Sequence, residues 1–181
     1  MSKTIVVLGA TGQQGGAVVN ALQAAGGFNL ITPVRNPDSD AAKKLAASGC
    51  QSPTLTTFQS IEELTALFQG VDGVYAVTTF MKAGNKFDVE MEKRQGIAIA
   101  EAAAAANVPF LVFSSVASAA DATGVPHFES KKYIEDLIKL PGFQILLCAP
   151  SLSWTTTAPN SSPLSAVNTP ACARPSCSWL P

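Results

Sequence analysis

Near the amino terminus, glycine residues recur at a spacing that suits phosphate binding. The apolar run Ile5–Leu8 leads into Gly9, and further glycines follow at positions 12 and 15. The first glycine permits a tight turn, the second lets backbone amides approach a pyrophosphate, and the third lets a helix pack closely on the strand. The amino terminus of that helix adds partial positive charge. The predicted dinucleotide-binding residues are Gly9, Ala10, Thr11, Gly12, Gln13, Gln14 and Gly15. The alternative is a glycine-rich connection without a ligand.

A second candidate binding residue follows the next apolar run. Folds that prefer NAD usually place an acidic residue there, against the 2′-hydroxyl of the ribose. In this chain the segment Thr32–Pro37 contains Arg35 instead. A guanidinium can form two hydrogen bonds to a 2′-phosphate, so NADP is the expected cofactor, with Lys43 and Lys44 as weaker electrostatic support. If Arg35 is only a solvated surface charge, NAD binds as well.

The elements that must position these residues alternate between β-rich apolar runs and segments of helical period. This alternation predicts a parallel sheet with helices on both faces. Strands are expected over Thr4–Leu8, Asn29–Val34, Val74–Thr78, Phe110–Ser114 and Phe143–Cys148, with a weaker third strand over Gln51–Thr57. Helices are expected over Gly15–Ala25, Asp40–Ser48, Ile61–Phe68, Val89–Ala106 and Ser130–Lys139. The expected fold class is α/β, a three-layer doubly wound parallel sheet of the Rossmann type over residues 1–148.

Composition narrows the class of protein. The 181 residues have a formal net charge of −1 and are 47% hydrophobic, which suits one soluble domain. The charge balance argues against direct nucleic-acid binding, and the sequence predicts neither a membrane span nor a signal peptide. The expected compartment is the cytoplasm, with the nucleus as an alternative. Cys148, Cys172 and Cys177 cluster without a C-x-x-C pair, so no metal site is expected.

In four segments the chain resembles the NmrA-like branch of the short-chain dehydrogenase/reductase superfamily. They occur in family order and are residues 9–16, Val34–Pro37, Gly70–Thr78 and Pro126–Lys131. The resemblance covers about residues 3–147 and implies an NAD(P)-binding domain. One departure is Thr54–Thr57, where relatives often have Gly-Asp to contact the adenine.

The resemblance also implies roles for individual residues. It assigns the glycine loop to residues 9–15 and the 2′-phosphate contact to Arg35. It assigns the cofactor contact after the fourth strand to Val77, Thr78 and Thr79. The lysine or arginine that the family has on a helix before Gln-Gly is Arg94 in this chain. All of these are expected cofactor-binding residues.

The residues that could transfer a proton occur later in the chain. Most short-chain reductases use Tyr-x-x-x-Lys, in which the phenol donates a proton and the lysine binds the nicotinamide ribose. This chain has His127 and Lys131 at that spacing, and His127 is its only histidine. The histidine could shuttle a proton; alternatively, Lys131 contacts ribose and His127 shapes the pocket. Ser114 and Ser115 lie where the superfamily keeps a catalytic serine, or they cap the next segment.

The composition changes after residue 148. From Ala149 onward the one charged residue is Arg174, among many Ser, Thr and Pro residues. Residues 149–181 are therefore expected to form an irregular tail. In relatives this point leads into a smaller substrate-binding region, which the resemblance implies is missing here.

A shift of reading frame is our hypothesis for this change. Moved back by one base, the codons of Leu147–Thr156 permit the family-like string Leu-Arg-Pro-Val-Pro-Phe-Met-Asp-Asn. The aspartate in that string is forced by Trp154 followed by Thr155. Sequencing error, gene modelling, splicing or a real mutation could be the source, and transcript sequencing across codons 140–160 would test it.

Three functions remain open at this point. The first, which the resemblance favours, is a dinucleotide-responsive regulator that binds NADP and passes its occupancy to a protein partner such as a transcription regulator. The second is an NADPH-dependent reductase of a quinone-like or phenylpropanoid-like small molecule, with Lys131 and His127 taking part. The third is a truncated remnant without activity.

Overall fold

The computed structural model describes residues 2–82, 86–116, 124–139 and 144–148. The strands in these ranges are β1 (Lys3–Val7), β2 (Phe28–Ile31), β3 (Gly73–Val77), β4 (Met81–Lys82), β5 (Lys86–Phe87), β6 (Phe110–Ser114) and β7 (Gln144–Cys148). The helices are α1 (Gln13–Ala25), α2 (Asp40–Ala47), α3 (Ile61–Phe68), α4 (Val89–Ala105) and α5 (Pro126–Ile138). The predicted tail, residues 149–181, lies outside the described residues, and so does the first residue of the predicted strand Phe143–Cys148.

The main sheet is parallel and has the strand order β2-β1-β3-β6-β7. The chain moves outward from β1 in both directions, which is the doubly wound arrangement. In the register, Val7 lies beside Tyr75 and Val77 lies beside Ser114. The carboxyl ends of β1, β3 and β6 therefore meet at one edge, where ligands bind in open α/β sheets. A separate antiparallel pair, β4 and β5, follows β3.

Alternate residues of β1 and β3 face two different cores. Val6 and Val74 belong to the larger core, which α3, α4 and α5 cover. Val7 and Tyr75 belong to the smaller core, to which α1 contributes Val19. Because side chains alternate across a strand, two apolar faces require helices on both sides. The predicted three-layer fold is confirmed.

Side-chain caps mark the start of three helices. Ser39, Ser60 and Asp88 each accept a hydrogen bond from a backbone amide in the first turn of α2, α3 and α4 respectively. Such caps satisfy amides that have no partner within the helix, and each stabilises its helix by about 1 kcal/mol. By contrast, α1 begins after Gly12 without a side-chain cap. The amides of its first turn are thus left for another acceptor.

The expected third strand, Gln51–Thr57, is wrong as a continuous strand. The segment makes two isolated parallel bridges with the chain around β2, and the backbone amides of Gln51 and Leu55 both donate hydrogen bonds of 2.9 Å to it. The parallel pattern requires an amide donor at Pro53 between them, and proline has none. One missing donor divides the ladder into two bridges.

The expected helix Ser130–Lys139 begins earlier, at Pro126. Proline is favoured in the first turn of a helix, because its missing amide would have no helical partner there and its φ angle already suits the helix. The backbone amides of Phe128 and Glu129 donate to the carbonyl of Val125. His127 consequently lies in the first turn of α5, on the same rigid element as Lys131. Similarly, α1 begins at Gln13 rather than Gly15.

Among the described helices, none combines the length and the apolar character that crossing a membrane requires.

Candidate functional site

The turn after β1 depends on two glycines that cannot carry a side chain. Gly9 has a φ of 72°, and a Cβ there would lie 2.6 Å from Val77 Cγ1. A Cβ on Gly15 would lie 2.3 Å from the carbonyl oxygen of Gly9. Both distances are shorter than van der Waals contact. The second shows that α1 packs directly on the turn. The predicted roles of Gly9 in the turn and of Gly15 in helix–strand packing match this geometry.

Gly12 occupies a different position in the same loop. A Cβ there would lie 3.3 Å from the Gly9 carbonyl oxygen, which is tight but not excluded. Thr11, Gly12, Gln13 and Gln14 are exposed, whereas Ala10 is buried. The first turn of α1 carries no acidic residue. An exposed helix amino terminus with free amides and no opposing carboxylate is suited to binding an anion.

Arg35 is exposed just beyond the second bridge of β2. Its guanidinium lies 5.9 Å from the centre of the Phe58 ring, within the range of a cation–π contact. Lys44, on α2, lines a cavity of about 270 Å³ together with Thr11 and Gly12. Positive side chains therefore lie on the β2 side of the glycine loop.

Arg94 is also exposed, and it connects α4 to the segment before α3. Its Nε donates a 3.1 Å hydrogen bond to Gln59 Oε1. Gln59 follows Phe58 in the chain, so Arg94 is linked to the part of the molecule that holds Arg35.

Lys131 projects from α5 to the carboxyl ends of β3 and β6. Its Nζ donates to Thr78 Oγ1 at 2.7 Å and to the carbonyl oxygen of Ser114 at 3.1 Å. The same atom lies 3.1 Å from Glu92 Oε1. Burial lowers the pKa of the Lys131 ammonium, and the Glu92 carboxylate opposes that change. Thr78, Ser114 and Lys131 thus meet at the carboxyl ends of β3 and β6.

Glu92 is a site residue that the sequence analysis missed. Its side chain is 0% exposed, and its carboxylate accepts hydrogen bonds from the hydroxyls of Thr78 and Ser130 in addition to its ion pair with Lys131. A buried carboxylate is tolerated when its charge is paired and its oxygens are hydrogen-bonded. The sequence signal that could have identified Glu92 is its helical spacing from buried residues. Glu92 lies on the buried stripe of α4, which continues through Gln95, Gly96 and Ile99.

Two more polar contacts fix the chain around the ends of β3 and β6. Gln95 Oε1 accepts a 3.0 Å hydrogen bond from the backbone amide of Thr79. The Ser114 hydroxyl donates a 2.7 Å hydrogen bond to Gln14 Oε1. Gln95 was not predicted as a functional residue, because its partner is a backbone amide in a distant segment.

His127 packs against two aromatic rings. Its ring is stacked with that of Phe80 at a centroid distance of 5.3 Å and with that of Phe128 at 4.5 Å. The interplanar angles are 21° and 30°, so the rings are near parallel. These contacts restrict the orientation of the imidazole. They also place it beside the chain that continues from β3.

The site combines an exposed anion-binding helix terminus, a positive group beyond β2 and a buried lysine at the ends of β3 and β6. In the ranges that the structure describes, no three His, Cys, Asp or Glu side chains are grouped closely enough to hold a metal ion. The glycine loop leaves room where a Cβ would obstruct a pyrophosphate, so the residues present fit a dinucleotide. The fold and the site define a Rossmann-type dinucleotide-binding domain.

Comparison with known proteins defines the group more closely. Residues 1–153 match the NmrA-like family, and the chain belongs to that NAD(P)-binding family. The NmrA-like family domain-containing oxidoreductase FrzB of Cladobotryum sp. is 33% identical over 156 residues, which cover 81% of this chain and 45% of FrzB. For three curated relatives that it matches, the chain spans between 36% and 45% of their length.

Solved structures agree with this assignment. The NADPH-dependent quinone oxidoreductase QOR2 of Escherichia coli, complexed with NADPH, has a TM-score of 0.66 and 25% identity, covering 79% of this chain and 47% of QOR2. NmrA, a negative transcriptional regulator, has a TM-score of 0.66 at 20% identity, covering 81% of this chain and 45% of NmrA. The second similarity supports the fold alone.

Proposed function

We propose that this domain binds NADP(H) along the carboxyl edge of its sheet. The pyrophosphate would lie on the free amides at the start of α1, and the nicotinamide ribose would lie near Lys131. The observation that carries this proposal is the glycine loop, where α1 begins exposed, without a side-chain cap and without an acidic residue in its first turn. Negative charge is favoured at such a terminus.

The preference for NADP over NAD rests on Arg35. Its exposed guanidinium would pair with a 2′-phosphate in a bidentate arrangement, while its contact with the Phe58 ring restricts its position. Lys44 adds a second positive charge in the cavity next to Gly12. NAD, which lacks the 2′-phosphate, would not form the paired contact with Arg35.

We further propose that the whole protein is an NADPH-dependent reductase of a small, quinone-like molecule. The names of FrzB and QOR2 support an oxidoreductase, and Lys131 supplies a fixed positive group at the reacting end of the site. When bound, the dinucleotide supplies a hydride. Lys131 would hold the ribose hydroxyls, and the aromatic rings around His127 would limit access of water on that side.

A dinucleotide-responsive regulator is the second candidate. The position that holds tyrosine in most short-chain reductases is His127, and its imidazole is packed against Phe80 and Phe128. A histidine held in this way can shape a binding pocket without transferring a proton. In that case the cofactor-bound domain would act by binding a protein partner, such as a transcription regulator.

The proposal is tested by titrating the purified chain with NADPH and NADH while following its intrinsic fluorescence. Gly12→Ala adds a Cβ inside the loop, whereas Gly16→Ala adds one at the same 3.3 Å from a backbone carbonyl oxygen but one helical turn later. We expect saturable binding that favours NADPH, is weakened by Gly12→Ala and is retained in Gly16→Ala. Absence of binding to either dinucleotide in the folded wild-type chain would overturn the proposal and favour an inactive remnant.

A turnover assay separates the two candidates. Oxidation of NADPH in the presence of a quinone, lost in Lys131→Ala, would support the reductase. Tight binding of NADPH without turnover of any quinone would support the regulator instead.

A further inference from the structure

The ion pair between Glu92 and Lys131 connects three separate elements. Glu92 comes from α4, Lys131 from α5, and the Thr78 hydroxyl that contacts both follows β3. Glu92 Oε2 is held in addition by the Ser130 hydroxyl at 2.5 Å. The carboxylate therefore has a defined orientation, with Oε1 toward Lys131 and Thr78 and Oε2 toward Ser130.

A carboxylate at this depth is not needed to complete the apolar core. Glu92 lies on the same stripe of α4 as Ile99, which is 1% exposed, and an apolar residue at position 92 would avoid the desolvation of a charge. What Glu92 adds is a fixed acceptor and a negative charge beside Nζ of Lys131. Its contacts with Thr78 and Ser130 keep that acceptor in one place.

We propose that Glu92 is a positioning residue of the dinucleotide site, which fixes the ammonium group of Lys131 against Thr78 where the nicotinamide ribose would bind. This inference rests on the proposed binding of NADP(H). Glu92 would act through Lys131, since it is completely buried and has no surface for the ligand.

The charge on Lys131 depends on the same contact. Burial alone lowers its pKa, and Glu92 and Glu135 both act in the opposite direction. Among the described residues, the titratable groups that act on the Lys131 ammonium are Glu92 on α4 and Glu135 on α5. At the ends of β3 and β6, the groups that accept its hydrogen bonds are the Thr78 hydroxyl and the Ser114 carbonyl. His127 lies one turn earlier on α5. Without Glu92, the ammonium would lose its proton at a lower pH.

The test is the pH dependence of NADPH binding by the full chain and by Glu92→Gln, measured by fluorescence titration between about pH 6 and pH 10, the range below the usual lysine pKa in which a lowered pKa becomes visible. We expect Glu92→Gln to bind NADPH about ten-fold more weakly at neutral pH, which is the effect of one charge-assisted contact. We also expect its affinity to fall at lower pH than that of the wild type. Glu90→Gln, which removes an exposed carboxylate of the same helix, should leave both properties unchanged.

A double variant distinguishes positioning from a general effect on folding. In Lys131→Met, the added substitution Glu92→Gln should produce no further change in the pH profile, because the group through which it acts is absent. If Glu92→Gln fails to fold by circular dichroism, Ser130→Ala removes a single hydrogen bond from the carboxylate, and we expect it to weaken NADPH binding about two- to three-fold.

Two negative results have different meanings. Wild-type affinity and an unchanged pH profile in folded Glu92→Gln, or in Ser130→Ala where that variant replaces it, would overturn the role of Glu92 alone. Absence of NADPH binding in the wild type would overturn the proposed function, and the positioning role with it.

Discussion

The Ser114 hydroxyl donates a 2.7 Å hydrogen bond to Gln14 Oε1, although 100 residues separate the two in the chain. Ser114 ends β6 and is 2% exposed, whereas Gln14 lies in the first turn of α1. The two ends of the proposed dinucleotide site are thereby held by one side-chain pair.

Replacing Gln14 by leucine should destabilise the domain by about 1 kcal/mol, because the buried Ser114 hydroxyl loses its acceptor. The free energy of unfolding, measured in urea, would show the change. Gln13→Leu is the matched control, since Gln13 is the adjacent glutamine on the same helix and is also exposed, whereas the contact with Ser114 is made by Gln14. Equal stability of the two variants would contradict the importance of the Gln14–Ser114 contact.

The two adjacent glycines of α1 should respond differently to the same substitution. Gly15→Ala places a Cβ 2.3 Å from a backbone oxygen, and we expect it to lower the free energy of unfolding by about 1–3 kcal/mol through overpacking. In Gly16→Ala the corresponding distance is 3.3 Å, and the higher helix propensity of alanine should offset the tighter contact. Urea unfolding of both variants checks this. A Gly15→Ala chain as stable as Gly16→Ala would mean that α1 can move away from the turn.

Arg35→Ala should change cofactor preference rather than stability. The lost bidentate contact with a 2′-phosphate is expected to weaken NADPH binding by about ten- to a hundred-fold and to leave NADH binding nearly unchanged. Parallel titrations with the two dinucleotides measure the ratio. Lys132→Ala, which removes a charge from the exposed side of α5, serves as the control. A parallel loss of affinity for both dinucleotides would contradict the assigned role of Arg35.

The lowered pKa of Lys131 should appear in the pH dependence of stability. Its ordinary value is 10.5, so between its lowered folded pKa and 10.5 the unfolded chain binds more protons at this residue than the folded chain. The contribution of Lys131 to the free energy of unfolding therefore rises with pH in that window.

Lys131→Arg provides the reference for this measurement, because arginine stays charged throughout the range. The difference in the free energy of unfolding, wild type minus variant, should increase from pH 7 toward pH 10. A difference that is independent of pH would show that Lys131 keeps its ordinary pKa in the folded domain.

The parts of the site that follow from local sequence were predictable. The glycine loop and Arg35 are defined by spacing and by their place after a strand. In the structure the loop follows β1 and Arg35 follows the bridge at Val34, while their binding of a dinucleotide stays a prediction. Glu92 was not predicted because its role depends on Lys131, which lies on another helix and meets it only in the folded chain. The third strand failed for the opposite reason. One local feature, the missing amide of Pro53, interrupts a pairing that the apolar pattern favours.

The buried network of Glu92 has a consequence for folding during synthesis. The carboxylate on α4 is made before Ser130 and Lys131, which carry two of its three partners. Until α5 has left the ribosome, burial of Glu92 would leave its charge without Lys131 and Ser130 as partners. Packing of α4 against the preceding strands is therefore unfavourable until then, because an unpaired charge would have to be buried. We therefore expect the nascent domain to remain protease-sensitive until α5 emerges, and then to become compact in one cooperative step.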